Sequence, residues 1–248
     1  MGKSDRGEVD YSLIIRNDAF LYRVYEDIYK EFERISGISG ITKAKVLEIG
    51  AGDFSCAEKY FPSVIKSDVE SSSDDVLIEN HDVNRLSYPN NYFDIILAKD
   101  VIHHFKNPID NLVELSRVLK PGGLIIVSEP YWSLLGRFIF RFFHPERWDT
   151  KVLRLEIDSL DPWVSNQALL YLLNSKFNKE FTNRVPTLQI RIYGPTYGLA
   201  YALSGGVFSR TIIPSSLLLA FYKLEKILFT MTSNIFALNI IATFQKID

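Results

Sequence analysis

Cysteine is nearly absent from this chain: Cys56 is the only one among 248 residues. That excludes an internal disulfide and most zinc frameworks. Charge of one sign is lacking as well. Lys and Arg number 28 and Asp and Glu 30, a net charge of −2 that gives no general attraction to nucleic acid. There is no internal repeat and no low-complexity linker, which excludes solenoids and arrays. The opening residues, MGKSDRGEVD, are polar and lack the apolar region of a secretory signal. Arg6 stands where a myristoylation site has Ser or Thr. A cytoplasmic location is the expectation. Long uncharged runs are also scarce. The run Ile227 to Phe244 spans eighteen residues, the threshold for a membrane span. Thr230, Thr232, Ser233, Asn234, Asn239 and Thr243 interrupt it, and Thr232-Ser233-Asn234 reads as a turn dividing a helix end from a strand.

What is present supports one large domain with a substantial core: 47% of residues are hydrophobic and 13% aromatic. From Asn17 to Ile35, apolar residues recur at Leu21, Val24, Ile28, Phe32 and Ile35, a helical spacing widened by Tyr22, Tyr25 and Tyr29. Short apolar runs then alternate with helical stretches. Strands are expected at 45–49, 63–67, 93–98 and 123–128, with vaguer runs at 76–78 and 181–185. Asn107–Leu119 reads as a helix stopped by Lys120-Pro121-Gly122-Gly123. The run from Phe236 to Ile247 is strand-like. This alternation predicts an α/β fold, a mostly parallel, doubly wound, Rossmann-like sheet with helices on both faces. Between Tyr131 and Ser216 the pattern loosens into aromatics, arginines, prolines and glycines, as in an insert over the mouth of a sheet.

The most informative stretch is KVLEIGAGDFS, Lys45 to Ser55. An apolar strand ends in Gly50-Ala51-Gly52, and a helical pattern follows. Strand, glycine turn and helix are how an α/β sheet binds a nucleotide-like ligand. Glu48 sets the turn apart, because an acid two residues before the first glycine suits a ligand with positive charge. S-adenosylmethionine (SAM) carries an ammonium and a sulfonium. Asp68 lies eighteen residues after Gly50, where a ribose diol finds its acceptor. The plain alternatives are an ordinary glycine turn and a loop carboxylate.

The turn resembles the SAM-binding motif acid-x-Gly-x-Gly-x-Gly of class I methyltransferases. Glu48, Gly50 and Gly52 match, and Phe54 replaces the third glycine. The resemblance implies that Asp82 bonds the adenine amine and that the Val83 backbone bonds a ring nitrogen. The run FDIILAKDVIHHF, followed by NPIDNLVELSRVLKPGGLIIVSEP, is similar to the middle of the type-11 methyltransferase family. That likeness points to Lys99 and Asp100 as pocket residues. It implies a seven-stranded sheet with an antiparallel final strand. The segments EPYWS, FHPERWD, NQAL and LSGGV resemble a bacterial subgroup associated with surface-polysaccharide biosynthesis.

These likenesses imply one methyltransferase domain over 1–248. It divides into an N-terminal helical cap (1–40), a SAM-binding core (41–130), a substrate-side insert capping the cleft (131–216), and a final helix and strand (217–248). Expected cofactor contacts are Glu48, Gly50, Ala51, Gly52, Asp68, Asp82, Val83, Lys99 and Asp100. His103, His104 and His144 are candidate bases, since imidazole accepts a proton near neutral pH. Of the adjacent pair, His103 is expected to face the cleft, and Ile102 and Phe105 to bury His104. No third ligand at convincing spacing makes a metal site of them. The implied acceptor is a small molecule, a sugar or a lipid-linked glycan, handled by a monomer or homodimer. Arg137 and Arg141, spaced i,i+4 among phenylalanines, make a basic aromatic helix suited to a membrane surface or, more plainly, to a lid. Two other readings remain open: a SAM-binding scaffold without catalysis, and a Rossmann oxidoreductase. Glu48 and Ser55, the latter at the third glycine position of the dinucleotide fingerprint, speak against the oxidoreductase.

Overall fold

The structure, a computed structural model, describes residues 11–38, 43–52, 54–68, 78–80, 83–144, 146–159, 161, 164–207 and 211–247, with only the backbone of 78–80. Its strands are β1 (Val46–Ile49), β2 (Val64–Asp68), β3 (Ile78–Asn80), β4 (Phe93–Lys99), β5 (Leu119–Pro130), β6 (Leu188–Pro195) and β7 (Asn239–Lys246). They form one sheet in the order β3-β2-β1-β4-β5-β7-β6. Neighbours from β3 to β5 are parallel, and β7 runs antiparallel to both β5 and β6. Six of these strands make up the body of the sheet, and β3 is a three-residue strip at one edge.

Period-two alternation sorts the strand side chains onto two faces. Leu47, Ile49, Ile96, Ala98, Ile125 and Val127 meet helices α4 (Pro108–Val118), α6 (Leu169–Leu173) and α7 (Asn178–Arg184). Val46, Ile95, Leu97, Ile126 and Ile241 meet α2 (Ala19–Ser36), α3 (Ala57–Tyr60), α8 (Leu199–Ser204) and α9 (Ser215–Phe236). The first helix, α1 (Tyr11–Asn17), leads into α2, and α5 (Leu134–Phe142) follows β5 and packs on α9.

Local chemistry sets the helix ends. Asp18 caps α2: its Oδ1 accepts from the backbone of Phe20 at 2.8 Å and Leu21 at 2.9 Å. Gly37, at φ +67°, closes the helix in the left-handed conformation that glycine adopts freely. The Asp18 carboxylate also accepts from Ser215 at the start of α9, which ties two distant helices together.

Several expectations are corrected. The helix before β5 ends at Val118 and the strand begins at Leu119. Lys120-Pro121-Gly122-Gly123 bulges within it, so that Phe93 pairs with Leu119 and Ile95 with Leu124. Residues 181–184 are helical, as the end of α7, and the strand lies further on as β6. The span 131–216 thus supplies the sheet strand β6 and the helices α5 to α8. Thr232-Ser233-Asn234 sits inside α9, whose packing overrides the local turn preference. Replacing Asp18 by Ala should cost about 1 kcal/mol, as for a lost N-cap, and lower the urea midpoint without changing the slope. An unchanged midpoint would mean that the cap contributes nothing.

Candidate active site

Four strand ends converge at one edge of the sheet. Gly50 (φ +62°) and Gly52 (φ +55°) turn the chain after β1. A Cβ on Gly50 would lie 2.3 Å from a methyl of Val101, so the position requires glycine for space as well as conformation. Ala51 is buried, and its N–H donates to the Ser67 carbonyl at 3.1 Å. Asp68, at the end of β2, accepts from the Gly52 N–H at 2.8 Å. This bond holds the carboxylate beside the turn, and a carboxylate has about four acceptor sites. Val83 packs at the margin of the core, while Asp82 lies outside the described residues.

Glu48 is buried beneath the turn. Tyr29 of α2 donates to its Oε1 at 2.5 Å and Ser55 to its Oε2 at 2.6 Å. Burial pushes the carboxyl up to about 7, against the two hydrogen bonds that pull it down. A cationic ligand beside it would favour the charged form. Phe54, in place of the third motif glycine, has a packing role: Tyr22 and Tyr25 meet its ring edge-on and Arg16 lies over it. It thereby seats α2 against the turn.

At the end of β4, Lys99 bonds Asp100 at 2.5 Å and stands 3.9 Å from the Tyr25 ring centre. Burial alone would lower its pKa, but Asp100 and Tyr25 more than offset this and raise it, so Lys99 is a fixed cation. Asp100 adopts φ +55°, an uncommon conformation for a residue with a side chain. Its backbone N–H donates to Ser128, and Asn239 reaches its carboxylate at 3.4 Å.

The histidines depart from expectation. His103 is the buried one, at 3% exposure, and His104 is partly open. Their rings lie 4.4 Å apart, and both Nε2 atoms approach Glu146 Oε2, at 3.2 Å for His103 and 3.7 Å for His104. His103 Nδ1 bonds Glu129 at 2.6 Å. Burial would lower its pKa, but Glu129 and Glu146 outweigh this and lift it to about 10. His103 thus lies buried between two carboxylates and not facing an open cleft, as was expected of it. The sequence offers no third ligand beside the pair, but the fold supplies one in Glu146, whose oxygen joins both imidazoles in a cluster within 4.8 Å. His144 accepts from the Glu146 backbone at 3.2 Å and contacts the Gln167 amide at 2.8 Å. It therefore helps to place Glu146.

Sequence reasoning passed over Glu129, Tyr29, Ser55 and Asn239. For Glu129 a signal existed: like Glu48, it is an acid at the end of a strand too apolar to tolerate one without partners.

Residues 48–127 match the family model described as a methyltransferase domain. The match runs from Glu48 in β1 to Val127 in β5 and takes in the glycine turn, so this central segment is similar to a methyltransferase domain. An uncharacterised methyltransferase of Schizosaccharomyces pombe is 43% identical over 103 residues, 40% of this chain and 35% of that protein. The ubiquinone/menaquinone biosynthesis C-methyltransferase UbiE of Bdellovibrio bacteriovorus is 31% identical over 103 residues, 42% of this chain and 39% of its own length. The matched region is thus well under half of either relative. In fold, the chain is similar to a SAM-dependent methyltransferase of Archaeoglobus fulgidus, with TM-score 0.52 at 14% identity, covering 90% of this chain and 94% of that one.

The His103 bridge makes a pH prediction. Its folded value, about 10, lies above the ordinary 6.5. Its contribution to stability is therefore full below pH 6.5 and is lost as pH rises through about 10. The stability gap between wild type and His103→Gln, from urea denaturation, should narrow across that window. A constant gap would show that His103 is not charged there.

Proposed function

We propose that the chain transfers the SAM methyl group to a small-molecule acceptor, foremost a sugar hydroxyl or related precursor of polysaccharide or glycan biosynthesis. The observation that carries the SAM reading is the turn itself: two glycines with positive φ, the Asp68 carboxylate fixed beside them, and Glu48 beneath. In the proposed site, Gly50, Ala51 and Gly52 admit the methionyl end. Asp68 takes the ribose hydroxyls. Asp82 and Val83 take adenine, and Lys99 and Asp100 line the wall. The glycan acceptor is supported by the resemblance of the 131–216 segments to the polysaccharide-associated subgroup. A cytoplasmic setting suits the single, buried, reduced Cys56.

The chemistry is direct displacement. An acceptor oxygen attacks the methyl carbon opposite sulfur, the O–CH₃ bond forms, and the S–CH₃ pair goes to sulfur. The acceptor proton leaves to a base. Alignment and exclusion of water supply most of the acceleration. With His103 held between carboxylates, His104 is the first candidate base and His144 the second. His103 is a positioning residue that holds the turn carrying His104. The insert caps the cleft, with Glu146 bonded to Ser165 and Gln167 to keep it in place. The competing reading is a SAM-binding scaffold without turnover.

Calorimetry should show SAM binding to the wild type, and Asp68→Ala should weaken it by about 1–3 kcal/mol, the cost of a poorly satisfied hydroxyl pair. Equal affinity in a folded variant would remove Asp68 from the site. His104→Ala should slow single-turnover transfer by about 10²-fold with SAM affinity kept, as for a lost general base. Transfer at the wild-type rate would move the base role to His144. SAM binding without transfer to any glycan precursor would favour the scaffold.

A further inference from the structure

Two adjacent helices present large apolar side chains to solvent. On α5, Leu134, Phe138 and Phe142 are each more than half exposed, and Phe143 just beyond is 72% exposed. On α9, Leu217, Leu224, Leu228, Met231 and Ile235 are exposed. Their spacing of seven, four, three and four residues sets them in one stripe along the helix. The helices pack together, and Tyr131 and Ser133, just before α5, bond Asn234 and the Ala237 carbonyl at the end of α9. An exposed apolar surface of this extent marks an interaction site.

The charges on the α5 part of it have one sign. Arg137 and Arg141 stand among the α5 phenylalanines, whereas Lys223 and Lys226 lie on other sides of α9, Lys226 paired with Asp27 of α2. Helix α5 has no acidic residue, and the only acid of α9, Glu225, is buried. Beside α9 opens a cavity of about 630 Å³, lined by Arg16, Arg23 and Lys223 with Tyr22 and Leu219, and by no acidic side chain. Arg23 there is partly neutralised by Glu26 and Asp27, and Lys226 by Asp27. A two-fold contact with a second copy would set this cationic surface against itself. An anionic bilayer meets both of its properties, apolar depth and negative charge.

We infer that α5 and α9 form a surface that seats the protein on an anionic lipid membrane. Topology puts this surface beside the cleft. Helix α5 begins just after β5 ends, and α9 ends just before β7 begins, where Asn239 pairs with Pro130. Both junctions lie at the strand ends that carry the glycine turn. Among the described residues no helix is long and apolar enough to cross a membrane, so contact is peripheral.

The test is cosedimentation of the full chain with vesicles of phosphatidylcholine, alone or mixed with phosphatidylglycerol, at low and high salt. The expected result is binding to the anionic vesicles that weakens with salt. The pair Phe138→Glu with Phe142→Glu, and the pair Leu228→Glu with Met231→Glu, should each reduce it by about tenfold or more. These side chains are exposed, so circular dichroism should show both variants folded. No cosedimentation of the wild type would overturn the inference. Binding unchanged in either pair would exclude that helix and overturn the two-helix surface. Self-association of the wild type that the variants disperse, without vesicle binding, would assign the surface to a second copy instead.

Discussion

A single buried carboxylate, Glu129 near the end of β5, holds the site edge together. Its Oε1 accepts from the N–H groups of Val101 and Ile102 at 3.0 and 2.9 Å, and its Oε2 takes His103 Nδ1. These bonds pull the turn after β4 against β5. The turn in turn sets Val101 over Gly50, where only a residue without Cβ fits. Three strand ends are thus fixed relative to one another by one side chain. A carboxylate at 0% exposure is tolerable only because every bond it makes is to a donor and one donor is charged.

The same edge carries two other acids in different states, Glu48 buried and Glu146 half-buried. Glu48 has neutral donors as its direct partners, and burial lifts it to about 7. Glu146 faces His103 and His104, and although burial would raise its pKa, they hold it well below the usual carboxylate range. Environment and not residue type decides the difference. One is poised to respond to an arriving cation, and the other is committed to an internal bridge. The scaffold around them is polar in a way that has to be complete: Asn239 alone joins Ser128, Thr196 and Asp100.

The central strands and the glycine turn were legible because local pattern and tertiary role coincide there. Leu47 and Ile49 are apolar because both faces of β1 are covered, and Gly50 is glycine because of its φ and its neighbour. That Glu48 and Asp68 lie beside the turn was legible from one chain segment, Glu48 by its place before the first glycine and Asp68 by its spacing after it. The fate of the histidines was not legible in that way. Which of His103 and His104 is buried depends on Glu129 and Glu146, residues 26 and 43 positions beyond His103. Short-range reasoning about Ile102 and Phe105 pointed to the wrong ring. β6 was missed because its burial alternates weakly at an edge, and the Thr-Ser-Asn turn was misplaced because α9 gains more from packing than those residues lose in propensity.

The bonds between α2 and α9 join segments far apart in the sequence. Ser215 reaches Asp18 across 197 residues of sequence, and Lys226 reaches Asp27 across 199. Helix α2 also supplies Tyr29 to Glu48 and Tyr25 to Lys99. During synthesis α2 therefore waits, part of its apolar stripe uncovered, until α9 has left the ribosome. Loop-closure entropy on this scale slows assembly of that face. It also means that removing α9 would strip away the helix that braces α2, and with it the support for Tyr29 at Glu48 and Tyr25 at Lys99.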